Sequence, residues 1–231
     1  MLGELARRVA NLAFGGSCYL CRGAAEGVLC ADCDADLPRL PAGRCPRCAL
    51  ASPAGVLCGR CLAQPPAYDA TVAALAYEFP ADVLVQALKF RGELALAPLL
   101  GALLAARLPR GARADFLVPV PLAPARLRER GFNQALEVAR AVAAATGCRL
   151  APRLAERIGN APPQVDLPLA ERARNVRGAF RCAQRLEGAE VAVLDDVMTT
   201  GATLEELAAT LKQAGAARVV NWVVARTLPP S

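Results

Sequence analysis

Eight of the ten cysteines stand in four CxxC pairs, Cys18/Cys21, Cys30/Cys33, Cys45/Cys48 and Cys58/Cys61, separated by eight, eleven and nine residues. A CxxC turn aims two thiolates at one point, and two such turns complete a tetrahedral zinc shell. Four turns make two sites, each with four thiolate ligands. Every position in such a shell is filled by protein, which marks structural zinc; catalytic zinc keeps a position open. Two pairings remain open. Sequential pairing unites Cys18, Cys21, Cys30 and Cys33, then Cys45, Cys48, Cys58 and Cys61. An interleaved cross-brace would close loops of 23 and 24 residues in place of eight and nine. Loop-closure entropy favours the sequential scheme by about 1 kcal/mol per site.

A second segment carries different chemistry: Val191-Ala-Val-Leu-Asp-Asp-Val-Met-Thr-Thr-Gly-Ala-Thr203. Four apolar residues end in two adjacent acids, and a turn of small residues then opens a helix. Backbone N–H groups at such a turn close on an anion, and the helix dipole adds attraction. Thr199, Thr200 and Thr203 add hydroxyl donors, and Gly201 permits close backbone approach. Asp195 and Asp196 can accept hydrogen bonds from paired hydroxyls. A phosphate and a diol together describe a ribose 5-phosphate. The plain alternative makes Asp196 a helix cap. No lysine follows a GxxxxG loop, so Walker A is excluded.

The composition narrows the rest. The 231 residues include no histidine, which removes Ser-His-Asp and Cys-His nucleophiles, HExxH proteases and mixed Cys/His fingers. The net charge is +6, and all but two of the 27 basic residues, Lys89 and Lys212, are arginine. Arginine grips phosphate with a bidentate fork, although base composition of the genome explains the bias equally well. Eight thiolates balanced by two Zn²⁺ would remove four of these charges, leaving about +2. The longest apolar run, Leu94 to Ala106, is interrupted by Pro98 and Gly101 and falls short of a spanning helix. With Glu4, Arg7 and Arg8 the N-terminus makes a poor signal peptide; Leu2, Leu5, Val9 and Leu12 predict a short amphipathic helix. The reading is a cytoplasmic protein without membrane insertion, in which disulfides are not expected.

The elements that must position these groups follow from periodicity. Residues 17–61 hold few bulky apolar side chains, so metal would replace a hydrophobic core. Leu62-Ala-Gln-Pro-Pro-Ala-Tyr68 reads as a linker, dividing a region 1–66 from a region 67–231. Beyond it, strands are predicted at Asp69–Phe79, Phe116–Val120, Glu190–Asp195 and Arg218–Ala225. Helices are predicted at Ala81–Phe90, Glu93–Leu108, Asn133–Thr146 and Thr203–Ala214. That alternation predicts an α/β domain with a mainly parallel sheet flanked by helices, its ligands held outside the carboxyl ends of the strands.

The Val191–Thr203 segment resembles the phosphoribosyl-pyrophosphate (PRPP) motif of type I phosphoribosyltransferases. The wider chain resembles the ComF family, a double zinc ribbon followed by a type I phosphoribosyltransferase-like domain. The likeness is carried by the four CxxC pairs, Leu117-Val-Pro-Val-Pro-Leu122, Arg126-Leu-Arg-Glu-Arg-Gly-Phe-Asn-Gln134, Pro162-Pro-Gln164, Arg172-Ala-Arg-Asn-Val-Arg-Gly-Ala-Phe180 and the PRPP motif. Ala161 departs from it, standing where a threonine is expected.

The resemblance implies Asp195 and Asp196 as the catalytic acids and Val197, Met198, Thr199, Thr200, Gly201, Ala202 and Thr203 as the phosphate loop. It places a pyrophosphate loop near Val118–Leu122, with Pro119, Val120, Pro121, Arg126, Arg128, Arg130 and Asn133 as candidates. Arg157, Gln164, Arg172 and Asn175 fall in a hood or flexible loop. It further implies Mg²⁺ bound with PRPP, phosphoribosyl transfer to an unidentified nitrogenous base, and a role in natural competence. The rival readings are a non-catalytic protein that binds single-stranded DNA, and a regulator whose ribbons dock on a competence-protein partner. Aromatics are only 4% of the chain, and no aromatic-plus-basic stacking cluster is evident. Phe132 is the best single stacking candidate and fits a core equally well.

Overall fold

Runs of Val, Ala and Leu between turn residues build the strands, and small-residue helices cover them. The computed structural model describes residues 16–158 and 177–229. The helix expected at Leu2–Leu12 and the hood candidates Gln164, Arg172 and Asn175 lie outside the described residues. In chain order the elements are α1 (Ala31–Ala35), α2 (Gly59–Ala63), β1 (Ala70–Ala76), α3 (Ala81–Arg91), α4 (Ala97–Arg107), β2 (Phe116–Pro119), α5 (Pro124–Arg130), α6 (Gln134–Thr146), β3 (Ala155–Arg157), β4 (Phe180–Cys182), β5 (Glu190–Met198), α7 (Ala202–Gln213) and β6 (Arg218–Arg226). Strands β1-β6-β5-β2 form one sheet, in that order and parallel throughout; β3 and β4 pair antiparallel beside it.

Alternation along the strands divides the core. Ala192, Leu194, Trp222 and Val224 pack into the layer made by α3, α4 and α6. Val191, Val193, Val219 and Val223 pack instead against Leu204, Leu207, Ala208 and Leu211 of α7. Helices α4 and α6 approach closely at Gly101, where a Cβ would come within 2.5 Å of the Ala141 Cβ.

Three differences from the predicted elements have physical causes. The expected strand at 190–195 continues to Met198, because Asp195, Val197 and Met198 keep their register with Val223, Ala225 and Arg226. The expected helix at 93–108 starts at Ala97, after a 3₁₀ turn at Leu94–Leu96; Pro98 then occupies the first helical turn, where its missing N–H is no loss. The charged helix α5 and the short pair β3/β4 were not anticipated, since neither shows a clear apolar period.

The cysteine-rich region is built onto this sheet. Edge strand β1 is covered by the segment Pro38–Leu40: Leu40 N–H donates to Ala74 O at 3.1 Å and Ala76 N–H to Pro38 O at 2.7 Å. Pairing an exposed edge in this way removes a template for aggregation. Tyr19 and Leu37 enter the α3/α4/α6 layer, while Ala49 and Tyr68 enter the α7 layer. The stretch expected to be a linker overlaps the end of α2 and finishes in buried Tyr68; Ala67 N–H is held by both carboxylate oxygens of Glu205, at 3.0 and 2.9 Å.

Candidate metal centres and anion-binding site

The eight CxxC cysteines gather as the sequential scheme requires. Cys18, Cys21, Cys30 and Cys33 form one group and Cys45, Cys48, Cys58 and Cys61 the other, with ligand atoms in each within 4.8 Å of one another. The interleaved scheme is thereby set aside. The Sγ atoms of Cys21 and Cys30 are 3.7 Å apart, and those of Cys48 and Cys58 are 3.6 Å apart. A tetrahedron with Zn–S bonds of 2.3 Å has edges of about 3.8 Å, so both donor sets fit zinc.

The thiols are tuned unevenly. Burial opposes ionisation of Cys18, yet N–H groups of Cys21, Cys30 and Leu20 outweigh it and hold its pKa at about 6. Burial likewise opposes ionisation of Cys45, and the backbone around Cys58, Cys48 and Arg47 brings it to about 6. Cys58 N–H donates to Cys45 Sγ at 3.4 Å. Cys33 is pushed up, first by sharing its hydrogen bond with Cys30, and Cys61 is pushed up by burial and by Cys48. One thiolate per group forms readily and further ones repel it; a divalent cation resolves that conflict.

The second site is assembled at the carboxyl end of the sheet. Asp195 and Asp196 stand side by side within β5, with their carboxyl groups close enough to influence one another directly. Asp196 is buried, and its Oδ2 lies 3.4 Å from Lys89 Nζ on α3. Burial raises the Asp196 pKa, but the Lys89 charge overrides it and the group sits below its usual value. Asp195 is pushed well above the carboxylate range by loss of water and by the charge of Asp196. Its Oδ1 accepts from Asp196 N–H at 2.9 Å, and Asp196 Oδ1 accepts from Val197 N–H at 3.0 Å. Neither acid caps a helix; the N-cap of α7 is Gly201, so the capping alternative for Asp196 does not hold.

Thr199, Thr200 and Gly201 make the turn from β5 into α7. Gly201 adopts φ 88°, which glycine alone takes without strain, and a Cβ there would meet Met198 Cε at 2.7 Å. No side chain caps the helix from Gly201; Thr200 Oγ1 accepts from Ala202 N–H at 3.3 Å. The amides next in that first turn are of the kind that can receive an anion. Gly178 N–H donates to Glu206 Oε1 at 2.7 Å, which ties the start of β4 to the same helix.

Cations converge from elsewhere in the chain. Arg126 and Arg130 lie one helical turn apart on α5, whereas Arg128 is exposed on another face. Arg130 is held below its usual pKa by burial, opposed by Asp196. Arg157 on β3 is lowered by burial and by Arg126 and raised by Asp195; its buried Nε has no hydrogen-bond partner among the described residues. Two of the predicted contacts, Asn133 and Val120, make bonds within the protein. Asn133 caps α6, accepting from Ala135 N–H at 3.0 Å, and its Nδ2 donates to Val120 O at 3.0 Å. Val120 N–H donates to Leu194 O at 2.9 Å, and Pro119 and Pro121 have no N–H, so residues 119–121 offer a ligand no free backbone donor.

The structure adds residues that sequence reasoning missed. Lys89 was noticed only as a rare lysine, and that rarity in an arginine-rich chain was the one available signal. Phe90 is 69% exposed, with Lys89 Nζ 5.7 Å and Arg130 Cζ 5.6 Å from its ring centre. An aromatic-plus-basic cluster therefore exists, formed by residues forty positions apart, while Phe132 packs partly buried against the core. Cys148 is buried and Cys182 half-buried, both apart from the metal groups. Among the described residues no helix is long and apolar enough to cross a membrane.

Comparison with known proteins bears first on the ribbon region. Residues 9–62 match the family model described as double zinc ribbon domain. The DNA utilization protein YhgH of Salmonella typhimurium is 36% identical over 223 residues, covering 92% of this chain and 98% of the relative. Competence protein F of Haemophilus influenzae is 29% identical over 222 residues, covering 90% and 96%. Among solved structures, the glutamine PRPP amidotransferase from B. subtilis with ADP and GMP aligns at TM-score 0.40 and 22% identity, over 55% of this chain and 26% of that one. A likeness of that size carries no argument about ligand or activity.

Proposed function

The chain belongs to the ComF family, and on that premise we propose that its sheet-end site binds PRPP in the service of DNA uptake and utilization. The observation that supports this reading best is the placement of an acid pair, an uncapped glycine-led helix and four cations at one end of the parallel sheet. Thr199, Thr200, Gly201, Ala202 and Thr203 receive the 5-phosphate on backbone amides and hydroxyls, with Val197 and Met198 as the floor. Asp195 and Asp196 accept hydrogen bonds from the ribose hydroxyls. Arg126, Arg130 and Arg157 face the pyrophosphate, Arg128 being the weakest of the predicted contacts. Gln164, Arg172 and Asn175 complete the hood in this proposal.

Two adjacent carboxyl groups also suit a hydrated magnesium ion, although Asp196 Oδ2 already faces Lys89 Nζ at 3.4 Å. Magnesium, when bound with the ligand, supplies charge compensation at the pyrophosphate. Phosphoribosyl transfer would break the C1–O bond to pyrophosphate and form a bond from C1 to a nitrogen of the acceptor base, with positive charge on the sugar and negative charge on the departing pyrophosphate in between. The acid pair, its charge resting on Asp196, offsets the first and the arginines offset the second, work that needs no histidine. The test is calorimetric titration of the zinc-loaded protein with PRPP and Mg²⁺. Saturable binding that disappears in the double variant Asp195→Asn/Asp196→Asn supports the reading, and equal affinity in that variant contradicts it.

Phe90 favours a second reading, a single-stranded-DNA-binding protein on the same fold. An exposed ring flanked by Lys89 and Arg130 offers stacking beside cations. Binding of single strands that weakens with salt and with Phe90→Ala, in a protein without PRPP affinity, would favour it over the first.

A further inference from the structure

The second ribbon and the phosphate loop meet at one guanidinium. Arg226 ends β6 and is 2% exposed. Its Nε donates to the carbonyl of Cys48, a metal ligand, at 3.0 Å. Its Nη1 donates to Met198 O at 2.8 Å, to Thr227 O at 2.9 Å and to Thr199 O. Two further ties run the same way. Ala67 N–H is held by Glu205 in the first turn of α7, and the Tyr68 hydroxyl stands behind Gly201, 3.2 Å from where a Cβ would sit. The first ribbon attaches elsewhere, through Tyr19 and Leu37 in the α3/α4/α6 layer.

We propose that Arg226 is the positioning residue of the phosphate loop and that the second metal ribbon is the anchor that holds it. The reason is peptide geometry. In a planar trans peptide the C=O and the following N–H point in opposite directions. Drawing the Met198 and Thr199 carbonyls inward onto Arg226 turns the Thr199 and Thr200 amides outward, toward the position of an anion. Cys48 fixes the guanidinium from behind, so metal at the second cluster sets the loop. Lysine retains the charge but cannot span acceptors on two sides, because it lacks the planar fork.

The inference deepens the phosphate-binding reading and rests on it only for the affinity arm of its test. The zinc-loaded full chain is compared with Arg226→Lys, and with Arg107→Lys as a control at the Leu40 carbonyl near the first ribbon. Hydrogen exchange is read at Glu205 N–H, bonded to Gly201 O, and at Thr227 N–H, bonded to Met198 O. With two zinc ions retained, Arg226→Lys should speed exchange at both amides about tenfold or more, while strand residues Val191–Leu194 stay protected. The control should leave both amides unchanged. PRPP affinity should fall in Arg226→Lys alone. Unchanged loop exchange overturns the inference, whether or not PRPP binds; absence of PRPP binding to the wild-type protein overturns the proposed function instead. Should Arg226→Lys fail to fold, the wild-type protein under stepwise chelation decides. The loop amides should then lose protection together with Ala49 and Leu62 of the second ribbon. Protection that outlasts both would overturn the inference.

Discussion

The metal clusters and the proposed anion site both concentrate charge, but they dispose of it differently. In the ribbons, four thiolates per site come from pairs close in sequence, and a resident ion closes the shell. At the sheet end, two carboxylates and the cations of α3, α5 and β3 are brought together from distant parts of the chain. Lys89 pairs with buried Asp196, and Asp195 is held in a setting that opposes its charge. A closed shell adds stability; an open one is unfavourable until a visitor completes it. The first kind of site should weaken the fold when altered, and the second should weaken binding while partly relieving the fold.

The largest effect belongs to metal loss. Structural zinc contributes on the order of 10 kcal/mol to small domains, so Cys61→Ser should lose one zinc and cooperative melting at the second ribbon. Cys21→Ser, at an exposed ligand of the first cluster, should leave the sheet melting near its original temperature. Metal analysis with circular dichroism checks both, and equal damage from the two would break the distinction between the ribbons.

Next comes Asp195→Asn, which should lower PRPP affinity strongly while raising ligand-free stability by about 1 kcal/mol at neutral pH. The sign follows from the raised pKa of Asp195: the folded state disfavours its charge, so the benefit of Asn is absent below the unfolded value and grows as pH rises toward and through the folded value. Asp196→Asn should do the reverse to stability, because it strips Lys89 of its buried partner. Denaturant titration of both variants measures the contrast.

Smaller again is Asn133→Ala. Losing the α6 cap should cost about 1 kcal/mol and free the Val120 carbonyl, with only an indirect effect on ligand affinity. The smallest effect is at Asp69, whose carboxylate accepts from Lys212 Nζ and Val219 N–H at 2.8 Å. Burial would raise its pKa, but Lys212 and Val219 bring it below 3.8. Its contribution is present above that value and is lost as pH falls. Asp69→Asn should therefore cost up to about 1 kcal/mol at pH 6 and progressively less toward pH 3, by urea titration at each pH.

The two regions also differ in how far the sequence revealed them. The CxxC pairs sit in local turns, so spacing sufficed to place all eight ligands and to favour the pairing observed. Strand β5, the Gly201 turn and α7 were legible for the same reason, each being a continuous local pattern. Lys89 was not, because its partner Asp196 lies far along the chain and only the packing of α3 brings them together. Nor was Phe90, whose basic neighbour Arg130 belongs to a helix without apolar periodicity. Asn133 was placed at the right loop, but its N-cap was not read, since its type suits an N-cap and a phosphate contact alike. Arg226 falls one residue past the predicted strand Arg218–Ala225, and its bond to a ribbon carbonyl is one that no spacing predicts.

A crystal structure of the zinc-loaded protein soaked with PRPP and Mg²⁺ tests the central claim most directly. The account predicts the 5-phosphate on the amides of Thr199–Thr203 and the ribose hydroxyls on Asp195 and Asp196, with pyrophosphate toward Arg126 and Arg157. A saturating soak that leaves the Thr199–Thr203 turn empty, or places the phosphate elsewhere on the surface, would contradict it.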